Sequence, residues 1–200
     1  MKTILQINSS LSAEQGMSSK LATRFVTSQL AREPGSRRIL RDLARNPLPH
    51  LSAERFKAFT TPAAERTEAQ RLEVAQSDAL IAELRQADVI VLGLPMYNFG
   101  IPSSLKAYFD HVARAGETFR YTPQGPVGLL SGRKAYVFAT RGGRYAGTPM
   151  DSQTDYIRQF LGFIGIDDVE FVYAEGLALG EEQREAALAE AGEQITRLAA

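Results

Sequence analysis

The chain has 200 residues, 44% of them hydrophobic, and this length and apolar content predict a single domain, residues 1–200, with one full core. Lysine plus arginine and aspartate plus glutamate number 23 each, so no overall charge favours nucleic acid or an anionic membrane surface as a partner. Cysteine is absent, which excludes disulfides, thiolate metal sites and cysteine nucleophiles. Since the start lacks a signal-peptide pattern and no apolar run approaches the roughly 20 residues that cross a bilayer, we expect a cytoplasmic protein without a membrane span.

Short apolar runs and amphipathic segments alternate along the chain. The predicted strands are 3–7, 38–43, 89–93, 135–139 and 169–173, and the run VIVLG at 89–93 is typical of a central parallel strand. The predicted helices are one that follows Ser18 and ends before Pro34, then 52–59, 67–84 with a capping box of Thr67 and Gln70, one that starts at Pro102 and ends by Gly116, 155–164 and 181–198. The segment 119–128 is predicted to be a loop or hairpin. Five alternating strands predict right-handed crossovers, hence an α/β fold with an open, doubly wound sheet of five parallel strands flanked by helices.

Ligands bind such sheets at the carboxyl ends of the strands, near the point where the strand order reverses. Three loops leave those ends here, at 8–17, 94–101 and 140–148. The first loop lacks the G-x-G-x-x-G dinucleotide fingerprint but is rich in serine, with Gly16 just before a helix N-terminus. Hydroxyls, free backbone N–H groups and the positive helix end favour a site for one phosphate. The alternative is that Ser18 is only the N-cap and the other serines are solvated.

The second and third loops favour a flat ring. Met96, Tyr97, Asn98 and Phe99 offer apolar and aromatic surface beside an amide that can donate and accept at a ring edge, a combination that suits an isoalloxazine. In the third loop the pair at 142–143 has no side chains, so its N–H groups can approach a ligand closely. The alternatives are a core position for Met96 and Phe99 and an ordinary turn at 142–143.

Several segments resemble the FMN-dependent NADH azoreductase and quinone reductase family. They are NSSLSAEQGMSSKL after the first strand, PMYNFGIPSSLKAYFDHVARAGETFRYTPQGPVGLLSGRKA, TRGGRYAGTP and FLGFIGIDDVEFVYAEG. The resemblance implies a flavodoxin-like fold, a homodimer with both sites at the interface, and one FMN per subunit. It also implies ping-pong chemistry, in which hydride passes from NADH or NADPH to flavin N5 and two electrons then pass to a quinone or an azo compound. Nitroaromatics fit the same acceptor class.

The resemblance also assigns cofactor contacts. Phosphate and ribityl contacts fall on Ser10, Gly16, Met17 and Ser18. Contacts around the ring fall on Pro95, Met96, Tyr97, Asn98, Phe99, Thr140, Arg141, Gly142 and Gly143. Some relatives carry a histidine just after the glycine pair, whereas this chain has Arg144 and Tyr145, and Arg144 cannot give up a proton near neutral pH.

Because the flavin carries the hydride, we expect no catalytic side chain. Flat aromatic side chains are expected to bind the substrate, some of them from the second subunit: Phe56, Phe59, Phe119, Tyr121, Phe163 and Tyr145. For Phe163, a position on a core helix face is the alternative. The two histidines, His50 and His111, lack metal-ligand spacing, so no metal site is predicted. His111 is expected at the surface or an interface. Arg114 and Arg120 are expected to be solvated or paired on the surface, with steering of the nicotinamide phosphates as the alternative.

Two other functional classes share this fold. A flavodoxin-type carrier passes single electrons to protein partners, but such carriers are short and strongly acidic, whereas this chain is neutral. A non-enzymatic regulatory subunit that senses flavin or nucleotide is the second alternative, although no dedicated docking tail is present. The segments 44–75 and 119–128 are available to cover a substrate, which favours an enzyme with quinone detoxification as its role. The sequence does not decide between NADH and NADPH.

Overall fold

A computed structural model describes residues 1–199. Within them, seven strands occur at Thr3–Asn8 (β1), Arg37–Asp42 (β2), Val89–Pro95 (β3), Phe119–Thr122 (β4), Gly125–Gly128 (β5), Lys134–Thr140 (β6) and Asp168–Ala174 (β7). Six α-helices occur in the same residues, at Met17–Arg32 (α1), Ala53–Thr60 (α2), Glu68–Gln86 (α3), Ser103–Val112 (α4), Ser152–Phe163 (α5) and Glu181–Leu198 (α6). None of the helices in residues 1–199 combines the length and the apolar character needed to span a bilayer.

Five strands form one parallel sheet in the order β2-β1-β3-β6-β7. Leu5 of β1 lies between Ile39 of β2 and Ile90 of β3, which fixes the register at the centre. Strands β1, β3 and β6 are apolar on both faces and lie inside the sheet, whereas β2 is charged and lies at an edge. The predicted doubly wound α/β sheet is confirmed.

Alternate strand residues face two cores. On one face Ile4 and Val91 pack with α1 and α6, where Phe25 is fully buried. On the other face Leu5 and Leu92 pack with α3, α4 and α5. With both faces covered, ligand access is left to the strand ends.

Two helix starts differ from the prediction by more than one residue. Helix α1 begins at Met17 with Gly16 as its N-cap, so Ser18 is not the cap, and its hydroxyl has no partner in the described chain. Helix α5 begins at Ser152 rather than at residue 155, because the Asp151 carboxylate caps it by accepting from the backbone N–H groups of the first turn. The segment 119–128 is an antiparallel hairpin of β4 and β5.

The expectations of a surface position for His111 and of a solvated Arg114 are wrong, because α2 and α3 cover His111 on α4 and Arg114 just after its end. His111 is fully buried, and its Nε2 lies 3.0 Å from the carbonyl oxygen of Pro49. Arg114 is 5% exposed, pairs with Asp78 and lies over the Phe59 ring at 5.3 Å. His111 is therefore part of the interior, and the charge of Arg114 is paired within the described chain.

Candidate functional site

The strand order reverses between β1 and β3, and the loops that follow β1, β3 and β6 touch one another there. Ser9 Oγ donates to the Gly93 carbonyl at 2.7 Å, joining the first loop to β3. The N–H of Met96 donates to the carbonyl of Thr140 at 3.0 Å, joining the loops after β3 and β6. The predicted meeting of the three loops at one edge of the sheet is observed.

The first loop forms a cradle around Ser10, which is 3% exposed. The Tyr97 hydroxyl lies 3.4 Å from Ser10 Oγ and accepts from the Leu11 N–H at 3.2 Å. Tyr97 lies in the loop after β3, so this loop also closes the cradle. A Cβ on Gly16 would lie only 2.1 Å from Ser10 Oγ. Glycine is therefore required at this position for Ser10 to stay where it is.

Helix α1 presents unpaired donors beside that cradle. Its first backbone bond runs from the Lys20 N–H to the Gly16 carbonyl at 2.9 Å, so the N–H groups of Met17, Ser18 and Ser19 find no acceptor in the described chain. The hydroxyls of Ser18 and Ser19 are buried there without a partner as well. Donors at a positive helix end are the chemistry that binds a phosphate dianion. These residues fit the phosphate of FMN.

The loop after β3 is a tight turn. Tyr97 N–H donates to the Gly100 carbonyl at 3.1 Å, and the Gly100 N–H donates back to Tyr97 at 2.9 Å. Between them Asn98 and Phe99 have φ of 49° and 61°. Positive φ at both central residues is the geometry of a type I′ turn, and it is strained for phenylalanine. Phe99 is nevertheless 48% exposed, so burial in the core does not explain it.

The loop after β6 exposes two further donors. The N–H groups of Gly142 and Gly143 have no acceptor within residues 1–199. A Cβ on Gly143 would lie 2.5 Å from the Tyr145 hydroxyl, whose ring folds back over the glycine pair. Tyr145 also meets Phe99 edge to face at 5.4 Å between ring centres. Aromatic surface and free N–H groups therefore face the same opening.

Arg141 lies in this loop, but its guanidinium is turned away from the opening. It is 1% exposed and pairs with Asp151 at 2.7 Å and Glu175 at 3.1 Å. Burial raises the pKa of the Asp151 carboxyl, but hydrogen bonds from Arg141 and Thr154 outweigh it, and the pKa is lowered overall. The guanidinium of Arg141 is therefore not available for a ring contact, and its backbone N–H and carbonyl already bond Ala174 and Leu177. Thr140 and Pro95 are buried beside it.

The start of α5 contacts the loops after β3 and β6, which are called the ring loops below. These contacts were not predicted from the sequence. Gln153 Nε2 donates to the carbonyls of Pro95 and Gly100, each at 3.0 Å, and Ser152 Oγ donates to the carbonyl of Phe99. Asp151 in a helix N-cap context is a usable sequence signal for the true start of α5. Nothing in the local sequence signals the contacts to residues more than 50 positions away.

Five of the predicted substrate aromatics gather elsewhere. A groove of about 460 Å³ is lined by Phe56, Phe59, Phe119 and Tyr121 among others, and Phe163 packs on Phe119 at 4.2 Å between ring centres. The groove lies at the far end of α4, which starts at the ring loop and is roughly 15 Å long from its rise per residue. Tyr145 is the one predicted substrate aromatic beside the ring loops of the same chain.

No cluster of three or more histidine, aspartate and glutamate side chains in residues 1–199 is arranged to hold a metal ion. The family described as a flavodoxin-like fold matches residues 2–198. A relative from Burkholderia lata, named FMN-dependent NADH:quinone oxidoreductase 6, is 55% identical over 195 residues, covering 98% of each chain. The chain belongs to this flavodoxin-like family of oxidoreductases. The family resemblance predicted from its motifs is confirmed.

Solved structures of flavodoxin-like proteins agree over the whole chain. An azoreductase from Bacillus anthracis superposes with a TM-score of 0.91 at 29% identity, covering 100% of this chain and 99% of the other. An FMN-dependent NADH-azoreductase of the same species, solved in complex with FMN, has a TM-score of 0.87 at 28% identity and full coverage of both chains. The aligned residues therefore span the three loops and the β4–β5 hairpin.

Proposed function

We propose that the chain is an FMN-dependent NAD(P)H oxidoreductase that passes two electrons, as hydride, to quinones, azo compounds and nitroaromatics. The observation that carries the proposal is the set of unpaired donors and exposed aromatic surface where three loops meet at the sheet edge. The names of the relatives support the same cofactor and chemistry. When bound, FMN supplies the redox chemistry, taking a hydride from the nicotinamide and giving two electrons to the acceptor.

The first loop and the start of α1 hold the phosphate in this proposal. Ser10 Oγ donates from the cradle that Gly16 leaves open, and the N–H groups of Met17 and Ser18 donate from the helix end. Each such bond to an anion is charge-assisted and therefore stronger than a bond between neutral groups. No lysine or metal is needed to balance the phosphate.

The other two loops hold the ring and tune it. Asn98 provides an amide at the ring edge, and Met96 and Phe99 provide apolar contact. The N–H groups of Gly142 and Gly143 stabilise negative charge that develops at that edge on reduction, because they are fixed in place before the reaction. Tyr145 covers the opening and lies where a flat acceptor would stack.

We also propose a homodimer in which the groove of one subunit covers the ring site of the other. Within one chain, α4 separates Phe56, Phe59, Phe119 and Tyr121 from the ring loops, so these aromatics reach a ring only across an interface. A two-fold axis makes two equal sites of this kind. Nicotinamide and acceptor then use the same stacked position in turn, which gives ping-pong kinetics.

The number of electrons that an acceptor takes up sets how many nicotinamides are oxidised for each acceptor molecule. A quinone takes one hydride and one proton to become a hydroquinone. Cleavage of an azo bond to two aromatic amines takes two hydrides and two protons, hence two nicotinamides. We assign the protons to water, since Arg144 cannot release one near neutral pH.

Anaerobic mixing tests the proposal. FMN-reconstituted protein is mixed with NADH, and separately with NADPH, while the flavin absorbance is recorded. Bleaching on mixing, reversed by a quinone or an azo dye, is the expected result, and the faster donor is the preferred one. FMN that binds but stays oxidised with both donors refutes the enzyme and favours a regulatory protein.

A further inference from the structure

The two ring loops are poorly supported by their own residues. Asn98 and Phe99 have positive φ, and residues in that region persist only when surrounding contacts hold them. The loop after β6 contains two adjacent glycines, which gain no support from side chains. Residues 151–154, the N-cap and first turn of α5, touch both loops and are called the α5 anchor below.

Gln153 and Ser152 of the α5 anchor fix the turn after β3. Gln153 is fully buried, and its amide donates both hydrogens, one to the Pro95 carbonyl and one to the Gly100 carbonyl, each at 3.0 Å. Those carbonyls lie before and after the strained pair. Ser152 Oγ donates to the carbonyl of Phe99 itself. Three bonds from neighbouring residues thus hold the start, the strained residue and the end of the turn.

Asp151 of the α5 anchor fixes the loop after β6. Its Oδ1 accepts from Arg141 at 2.7 Å, and a second guanidinium nitrogen of Arg141 donates to Glu175 at 3.1 Å. Glu175 in turn accepts from the N–H groups of Tyr145 at 2.8 Å and Ala146 at 2.9 Å. The guanidinium therefore ties both sides of the glycine pair to the same helix start.

We propose that the α5 anchor sets the spacing of the two ring loops, with Gln153 and Arg141 as positioning residues. The inference rests on the proposed flavin site, which these residues serve without touching the ring. Both loops are bonded to the start of one rigid helix. The groups that contact the ring therefore keep a fixed distance and orientation relative to one another. A site that depends on orientation loses affinity when either loop drifts.

The test compares Gln153→Met with Gln159→Met, a matched change at an exposed position of the same helix. Hydrogen exchange is measured in flavin-free protein at the bonded N–H groups of Met96, Tyr97 and Gly100. FMN affinity is measured by titration. Losing two hydrogen bonds predicts exchange about ten-fold faster at those N–H groups and FMN affinity about ten- to a hundred-fold weaker in Gln153→Met. Gln159→Met is expected to match the parent in both.

Unchanged exchange at residues 96–100 together with unchanged FMN affinity in Gln153→Met overturns the inference. Equal exchange increases over the whole chain, with FMN affinity unchanged, also overturn it, because a purely structural residue would act that way. If Gln153→Met does not fold, Ser152→Ala removes one anchor bond from an exposed residue, and the same two readouts decide. If the parent protein itself binds no FMN, the proposed function fails, while the exchange data still decide whether the α5 anchor holds the turn.

Discussion

Gly16→Ala is expected to damage flavin binding through Ser10 alone. Gly16 has φ of −64° and ψ of 141°, which alanine adopts freely, so the backbone is not strained. The new Cβ would lie 2.1 Å from Ser10 Oγ and 2.5 Å from Ser10 Cβ, so rotating the hydroxyl does not relieve the contact and Ser10 must move. The phosphate then loses a charge-assisted bond of about 1.5–3 kcal/mol, equivalent to roughly a ten- to more than a hundred-fold increase in Kd for FMN.

The assay is a fluorescence titration of flavin-free protein with FMN, beside urea unfolding of the same samples. Ser10→Ala should weaken binding by a similar factor, since it removes the same hydroxyl. Gly162→Ala is the control, because its Cβ would meet only Asp167 Oδ1 at 3.3 Å. Parent-like affinity in Gly16→Ala, with Ser10→Ala weakened, would show that Ser10 tolerates the new methyl and would refute the reasoning.

Three further outcomes are expected. Asn98→Ala should leave the fold intact but weaken FMN binding or slow flavin reduction, by removing an edge hydrogen bond of about 1 kcal/mol; unchanged affinity and reduction rate would contradict the ring placement. Burial lowers the pKa of His111, while its bond to the Pro49 carbonyl opposes the shift, so the unfolded chain binds a proton more readily than the folded one. Stability should therefore be full above about pH 6.5 and fall as the pH drops below it, and His111→Gln should flatten this slope in urea unfolding at a series of pH values. Arg114→Met should lower the free energy of unfolding by about 1–3 kcal/mol, since it removes the buried guanidinium bond to Ser77 Oγ and the ion pair with Asp78, while the KM for NADH stays unchanged; a raised KM would restore the phosphate-steering role.

The fold was predictable because its strands are defined by local pattern. The run at 89–93 is apolar on both faces, and only a central parallel strand buries both. The start of α5 was not predictable from periodicity, although Asp151 is a local capping signal for it. Residues 151–154 are polar and resemble a loop, but their side chains cap the helix and hydrogen-bond to loops that are distant in the sequence. A boundary set by a side-chain cap leaves no trace in the hydrophobic periodicity.

The meeting point of the three loops was predictable from the topology of the sheet. Topology brings the carboxyl ends of β1, β3 and β6 together, so the residues that follow them meet whatever their side chains do. The side-chain position of Arg141 could not be predicted from topology. Its position after β6 placed it near the ring, but its charge is satisfied by Asp151 and Glu175, which lie 10 and 34 residues away. Likewise the burial of His111 follows from α2 covering α4, which no local pattern indicates.

Large aromatic side chains are exposed at both ends of α4. Tyr121 is 75% exposed and Phe56 58% exposed at one end of α4, while Phe99 is 48% exposed at the other. In a monomer both sets of aromatic side chains would face water, whereas the proposed two-fold dimer would stack one set over the other. In the proposed dimer each site needs the donors of one chain and the groove of its partner, so a defect in one chain's cradle and a defect in the other chain's groove would compensate for each other.

Mixing two variants tests directly whether each site is shared between two chains. Gly16→Ala damages the phosphate cradle and Tyr121→Ala damages the groove, and each alone should be nearly inactive at FMN concentrations close to the parent Kd. When equal amounts are unfolded together and refolded, half of the dimers are mixed, and each mixed dimer has one intact site and one doubly damaged site. About a quarter of the parent activity should therefore return. If the mixture is no more active than its two components, the groove serves its own chain or none, and the shared site is wrong.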